Sequence, residues 1–269
     1  GVNPRTQIYT LKFISLEAIR DHQTRVSQAF AGGIDQMVID ICKNYLNTKK
    51  DILVEETKNV HKFVMPRLKP TQAIEQLRKV AKSKDYENSG FHFYETAMGF
   101  QFKSYEGLYC KKDGSPREVK AFYTPKVKNV GEDDIYNLQS VEAFTVKQQF
   151  NTLENTYNGV YSSRLITHDL FNKTFGEFDF DYNVEYGKQN HLEQDANGGK
   201  RDDNGILPYF NYDKGDTFGT KNEGTLFLQS ETRKTHNDYE PPDSTTILQK
   251  RISQHIAANN LIIEITVPG

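Results

Sequence analysis

Residues 91–109 read FHFYETAMGFQFKSYEGLY, and how this stretch is read decides the fold around it. Aromatic residues fall at nearly every second position on both sides of Gly99: Phe91, Phe93, Phe100, Phe102 and, one pleat further on, Tyr105 and Tyr109. A period of two is that of a strand, whose successive side chains point to opposite faces. FHFYE and FQFKSYE therefore predict two strands, joined by Thr96-Ala97-Met98-Gly99 with a glycine where the turn needs a positive φ. Alternation puts Phe91, Phe93 and Glu95 on one face and His92 and Tyr94 on the other. Such a ladder is either sheet packing or a platform on which sugars stack. Cross-strand aromatic pairs are more often packing, and Phe91, Phe93, Phe100 and Phe102 are read here as a packing hairpin.

A packing hairpin needs something to pack on, and two helices precede it. In Ala31–Asn47, Ile34, Met37, Val38, Ile41, Cys42, Tyr45 and Leu46 recur at i, i+3, i+4, i+7. That spacing makes one wide apolar helix face, with Gly32 and Gly33 at its start and Asn47 as a residue that tolerates the left-handed turn at its end. Pro70–Lys84 predicts a second helix, opened by a proline and striped by Ala73, Ile74, Leu77, Val80 and Ala81. Each has one face to bury, against the other or on a shared sheet.

Beyond the hairpin, Ser104–Asn129 is basic and turn-rich, with Asp113-Gly114 and Ser115-Pro116 as turn signals. It reads as a solvated surface, because it has no phosphate-cradling glycine loop. Asn151–Tyr186 predicts a β-meander, with Asn158-Gly159 as a hairpin turn and Leu170-Phe171-Asn172-Lys173 as the next. Its returning strand GEFDFDYNVEY is two-faced. Phe178, Phe180, Tyr182, Val184 and Tyr186 point one way, and Glu177, Asp179, Asp181, Asn183 and Glu185 the other. Paired carboxylates serve acid–base chemistry or hold a hard cation. A row along one strand face is not a concave pocket, however, and is read as a solvated face. Thr167-His168-Asp169 fails as a triad fragment for a related reason, since neighbours on a strand face opposite ways.

Residues 187–245, rich in Gly, Asn, Asp and Lys, read as a long surface excursion with one or two short strands near Leu226-Phe227-Leu228. Asp195-Ala196-Asn197-Gly198 starts like a calcium loop but has its glycine at the fourth place instead of the sixth, and no closing glutamate. Asp243-Ser244 then caps a helix over Thr245–Ala258, with Ile247, Leu248, Arg251, Ile252, His255 and Ile256 on its face, leading into the strand LIIEITV. Gln7–Ser15 also predicts a strand. Two terminal strands imply either partners in further chain, in each other or in a neighbouring subunit, or simply a domain whose ends are strands.

Composition narrows the function classes. The 269 residues can bury a core without staples. A net charge of −2 and a pI near 6.4 carry no nucleic-acid footprint. No run of residues is long and apolar enough to span a bilayer, and GVNPRTQIYT is not a secretory leader. The chain therefore reads as soluble and non-secreted. Two cysteines, Cys42 and Cys110, make no disulfide framework, though they could pair once, and no Cys/His cluster has zinc spacing. No catalytic, cofactor or metal residue is assigned.

The order of these pieces resembles a family. YTLKFIS running into RVSQAFAG, a helix, a proline-initiated helix, the FHFYET…GFQF hairpin, NGVYSSRLITHDL and the step LQKRISQHIAANNLIIEITVPG are together similar to the central baseplate hub proteins of T-even-like contractile-tail bacteriophages. The likeness covers almost the whole chain outside the excursion. It lies in packing residues, without a catalytic signature.

The resemblance implies an α+β chain, a β-barrel tail-hub fold with an inserted small helical subdomain. Residues 1–30 would belong to a first hub barrel, 31–110 to the helical subdomain with its aromatic hairpin, 111–186 to a hub meander, 187–245 to an insertion and 246–269 to a helix and strand of a barrel. It implies a non-enzymatic homotrimer without cofactor, joining tail-tube and spike proteins in the virion baseplate and present in host cytoplasm during assembly. Sequence-specific nucleic-acid binding and stable membrane insertion are not expected. Glu177, Asp179, Asp181 and Glu185 would line a lumen that repels passing DNA. The alternatives are a carbohydrate-binding or carbohydrate-active β-rich protein and the spike hub of a contractile secretion system.

Overall fold

The computed structural model describes residues 11–86, 88–115, 117–118, 123–125, 140–148, 151–170, 173–182, 185, 225–230, 244–258 and 261–267. The architecture follows from two apolar clusters, the larger built on helices and the hairpin. Helix α1 (Leu16–Gln23) precedes strand β1 (Ala29–Gly32), helix α2 (Ile34–Asn44), strands β2 (Asp51–Val54) and β3 (His61–Val64), and helix α3 (Pro70–Val80). Strands β4 (Phe91–Thr96) and β5 (Gly99–Ser104) form the hairpin, and α4 (Tyr105–Tyr109) closes it. Ile34, Met37, Val38, Ile41 and Cys42 from α2 and Ala73, Ile74 and Leu77 from α3 bury against Phe91, Phe100 and Phe102. Both helices thus spend their apolar stripes on the hairpin.

The helix signals have identifiable causes. Gly33 precedes α2, and Asn47 takes φ 47° just beyond its end. Pro70 sits in the first turn of α3, where the Asp21 carboxylate of α1 accepts from Thr71 N (2.8 Å) and Thr71 Oγ1 (2.9 Å). This helix stops at Val80, short of the Lys84 expected from sequence, because Lys82 and Ser83 take bridge pairings with Ser89 and Thr57.

β4 and β5 pair antiparallel, and β2 adds in parallel on the far side of β5, giving the order β2-β5-β4. Gly99 has φ 137°, and a Cβ there would lie 2.2 Å from Asp51 O, since Asp51 is its partner in β2. The glycine therefore serves both the turn and the close approach of a third strand. The ladder ends at Ser104. Ser104 Oγ accepts from Gly107 N (3.1 Å), so Tyr105 begins a helix instead of extending the strand.

Two further expectations are corrected. Of Gln7–Ser15, residues 11–15 are described and carry no strand; Ser15 Oγ caps α1 by accepting from Ala18 N at 3.3 Å. The described part of residues 1–30 gives Val26 and Phe30 to the helical core, and β1 pairs with β3. Asn158-Gly159 is no hairpin turn, because Thr152–Tyr157 is a helix, α5, capped by the Asn151 side chain. The dipeptide ends that helix, with Gly159 at φ 77°, the same left-handed conformation a tight hairpin would have used.

Between these parts lie short β6 (Thr124–Pro125) and β7 (Ser140–Val141), paired in parallel, and β8 (Ala143–Gln148). After α5 come β9 (Ser162–Asp169) and β10 (Thr174–Asp181), paired antiparallel on either side of the predicted turn at 170–173. Strand β11 (Leu226–Ser230) joins β9 in parallel, at the place where the sequence suggested a short strand. Helix α6 (Ser244–Ala258) and strand β12 (Leu261–Thr266) follow, and β12 pairs antiparallel with β8. Val160, Tyr161, Phe180 and Tyr182 form the second cluster, against which Ile256 packs. Tyr161 and Tyr182 meet edge to face, centroids 6.2 Å apart.

The chain is thus a mixed α and β structure of small separate sheets. Among the described residues every sheet has two or three strands and none closes into a barrel. Cys42 and Cys110 are free and buried, and burial pushes their thiols up to about 12 and about 11. The calcium-loop-like stretch at 195–198 and the residues Val184 and Tyr186 lie outside the described residues.

Candidate interaction surfaces

The aromatic hairpin faces inward. Phe91 stacks on Phe102 at 4.7 Å and Phe93 on Phe100 at 5.4 Å with planes 2° apart. Phe91, Phe100 and Phe102 are buried and Phe93 half-buried, so these rings offer no open platform. Register explains the ladder: Phe93 opposes Phe102 and Glu95 opposes Phe100, which sets all four rings on one side of the pair.

The acidic strand face is shorter than its sequence pattern. Glu177 and Asp179 are exposed, Asp181 is half-buried, and β10 stops at Asp181. Tyr182 and Glu185 already have helical backbone, so Glu185 leaves the row; its carboxylate instead pairs with Lys250 of α6 at 2.5 Å. Asp179 is not a bare charge either. It lies opposite Arg164 of β9, which donates Nε to Oδ1 at 2.8 Å and Nη2 to Oδ2 at 3.3 Å. Thr167 and Asp169 are buried while His168 between them is exposed, as alternation requires.

Helix α6 meets the β9/β10 sheet through polar groups. The sequence marks Ile247, Leu248, Arg251, Ile252, His255 and Ile256 as its face, yet among its described side chains the most buried are Gln249 and Ser253. Gln249 Nε2 donates to Ser163 O (2.9 Å), Ser163 Oγ (3.0 Å) and Phe178 O (3.3 Å), and Ser253 Oγ donates to Val160 O (2.8 Å). The helix docks on backbone carbonyls of Val160, Ser163 and Phe178, to which a hydrophobic stripe cannot donate. The one sequence signal was the short side of the apolar stripe, interrupted by Arg251 and His255.

Among the described residues, the β8/β12 ribbon presents an open apolar surface. Ile263 opposes Val146 and Ile265 opposes Phe144, so these four side chains share one face. Thr145, Lys147, Glu264 and Thr266 occupy the other, where Lys147 pairs with Glu264 at 2.5 Å. Phe144 is 65% exposed and Ile263 55%, and Val146 and Ile265 are about equally open. A two-stranded ribbon with four apolar side chains gathered on one face has no core of its own to hide them in.

Compared with protein-family models and with curated proteins, the chain matches none. Among the described residues, no helix is long and apolar enough to cross a membrane, and no three His, Cys, Asp or Glu side chains come together as a metal site.

Proposed function

We propose that the chain is a structural element of a contractile-tail baseplate hub: a non-enzymatic homotrimer that joins the tail tube to the cell-puncturing spike of a virion. The observation that carries this reading is the amphipathic β8/β12 ribbon, whose apolar face of Phe144, Val146, Ile263 and Ile265 lies open in the single chain. A face of that kind is stable when another copy covers it. Completing the burial of four half-exposed apolar side chains is worth roughly 5 kcal/mol at about 25 cal/mol per Å². In a ring of three copies the ribbons would become staves of the hub barrels, and the exposed Glu177 of β10 would turn toward the passage, where its carboxylate repels a passing polyanion. The order of elements that resembles the tail-hub family supports the same reading, and a secretion-system spike hub would share it. The buried hairpin rings weaken the carbohydrate alternative, which needed them exposed.

Light scattering coupled to size-exclusion chromatography tests the proposal. A mass of three chains is expected at micromolar concentration. A strictly monomeric protein over the whole accessible concentration range removes it.

A further inference from the structure

A cleft of about 280 Å³ opens where α6 crosses the end of α3 and the start of β4. Arg78, Lys79, His92, Tyr105, Arg251 and His255 line it, with Ile252 and Ile256 as apolar wall, and no carboxylate is among its lining residues. The cations are not equivalent. Arg78 is already spent: Glu75 takes its Nε and, at 2.6 Å, its Nη2, while Phe91 O accepts from Nη1 at 3.1 Å. Arg251 is not. Its Nη1 donates to Lys79 O at 2.5 Å, and among the described residues no carboxylate bonds it. Tyr105 Oη meets His255 Nδ1 at 2.9 Å, and the Tyr105 ring stands edge to face on His92 at 4.2 Å.

His92 supplies a second, independent sign. Its Nε2 is buried without a hydrogen-bond partner. A buried polar atom left unpaired costs about 1–3 kcal/mol, and in a cleft lined with cations the group that satisfies both it and Arg251 is an anion with several acceptor oxygens. Burial, the nearby Arg78 and His255 lower the His92 pKa, which favours the neutral ring; with its proton on Nε2 that ring is a donor. Burial and Arg78 lower the Arg251 pKa, against the opposing charge of Glu75.

We propose that this cleft binds a tetrahedral oxyanion of the phosphate class, held by the Arg251 fork, His92 Nε2 and Lys79 Nζ. These donors come from α6, β4 and α3, three separate elements. Acceptors pointing in tetrahedral directions suit such a set, whereas a planar carboxylate is met best by one fork in its own plane. The apolar wall of Ile252 and Ile256 gives room for a small organic body esterified to the phosphate. Gly90, another lining residue, lets the Tyr105 ring come close, because a Cβ there would lie 2.8 Å from it.

The test uses inorganic phosphate, titrated into the whole protein at constant ionic strength and followed by calorimetry and by phosphorus NMR linewidth, with acetate as the planar comparison. Saturable binding of one phosphate per chain is expected, with acetate at least about tenfold weaker and Arg251→Gln weakening phosphate about tenfold or more, the loss typical of a charged hydrogen bond. Arg251 also touches Lys79 O, so the native protein offers a readout free of mutation: the His92 ring nitrogen signals should move with the same saturation curve. Phosphate that fails to saturate, a His92 ring that stays still, equal affinity for acetate, or undiminished binding by folded Arg251→Gln would each overturn the assignment.

Discussion

Single residues carry two jobs here that a sequence shows as one. Gly99 reads as a turn glycine, and its φ of 137° agrees, but the Asp51 carbonyl would sit 2.2 Å from any Cβ. Gly32 has a similar φ, 143°, with nothing within 4 Å of where a Cβ would be. The pair separates the two costs. Gly32→Ala should lose about 1–2 kcal/mol of stability from backbone strain alone. Gly99→Ala should lose more, about 3 kcal/mol, because β2 must also move away from β5. Urea unfolding of both variants measures the difference, and equal losses would mean that β2 yields without cost. The Glu55 carboxylate, which accepts from Ser104 N at 3.0 Å and Ser104 Oγ at 2.9 Å, shows the same economy, since it holds the N-terminus of α4 while following β2. No spacing in the chain joins residues 49 positions apart.

At the scale of elements, what was legible is what periodicity records. The i, i+3, i+4 stripes of α2 and α3 and the alternation of β4 and β5 read correctly because each buries one face continuously. Local signals with two meanings failed. Asn158-Gly159 supplies a left-handed residue, which ends a helix as readily as it turns a hairpin, and only the cap at Asn151 decides between them. Strand β2, four residues long and parallel to β5, leaves no alternation to count. The candidate surfaces divide likewise: the acidic side of β10 is visible in the text of the strand, whereas the Arg164 that neutralises Asp179 sits on the neighbouring strand. Helix α6 is legible only in part, because Ile256 of its expected face packs on the second cluster while the polar Gln249 and Ser253 are buried deeper. Gln249→Leu keeps the size of the side chain and removes its donor, leaving Ser163 O and Phe178 O to find another partner. A loss of about 1–3 kcal/mol in chemical denaturation is expected. A neutral or stabilising result would show that apolar contact, and not carbonyl satisfaction, holds α6 to its sheet.

At the scale of the whole molecule, the two apolar clusters and the ribbon differ in kind. The clusters are closed within the chain by helix and hairpin, and by α6 against β9 and β10. The ribbon is closed by nothing among the described residues, although its register gathers Phe144, Val146, Ile263 and Ile265 on one face as a core would. Folding of the chain and association of the chains should therefore be separable by substitution. Ile263→Lys places a charge in the middle of the apolar face, where burial against another copy would strand it unpaired. It should turn the proposed trimer into a monomer while leaving the helical core, with its own far-UV dichroism and unfolding midpoint, within about 0.5 kcal/mol of the parent under dilute monomeric conditions. Thr145→Lys, on the opposite face of the same ribbon, puts an equal charge where solvent or Glu264 can meet it, and should leave the mass unchanged. The two variants place the same charge on opposite sides of β8/β12. If both dissociate the protein alike, charge and not burial of the apolar face governs assembly; if neither does, the ribbon is no part of the contact.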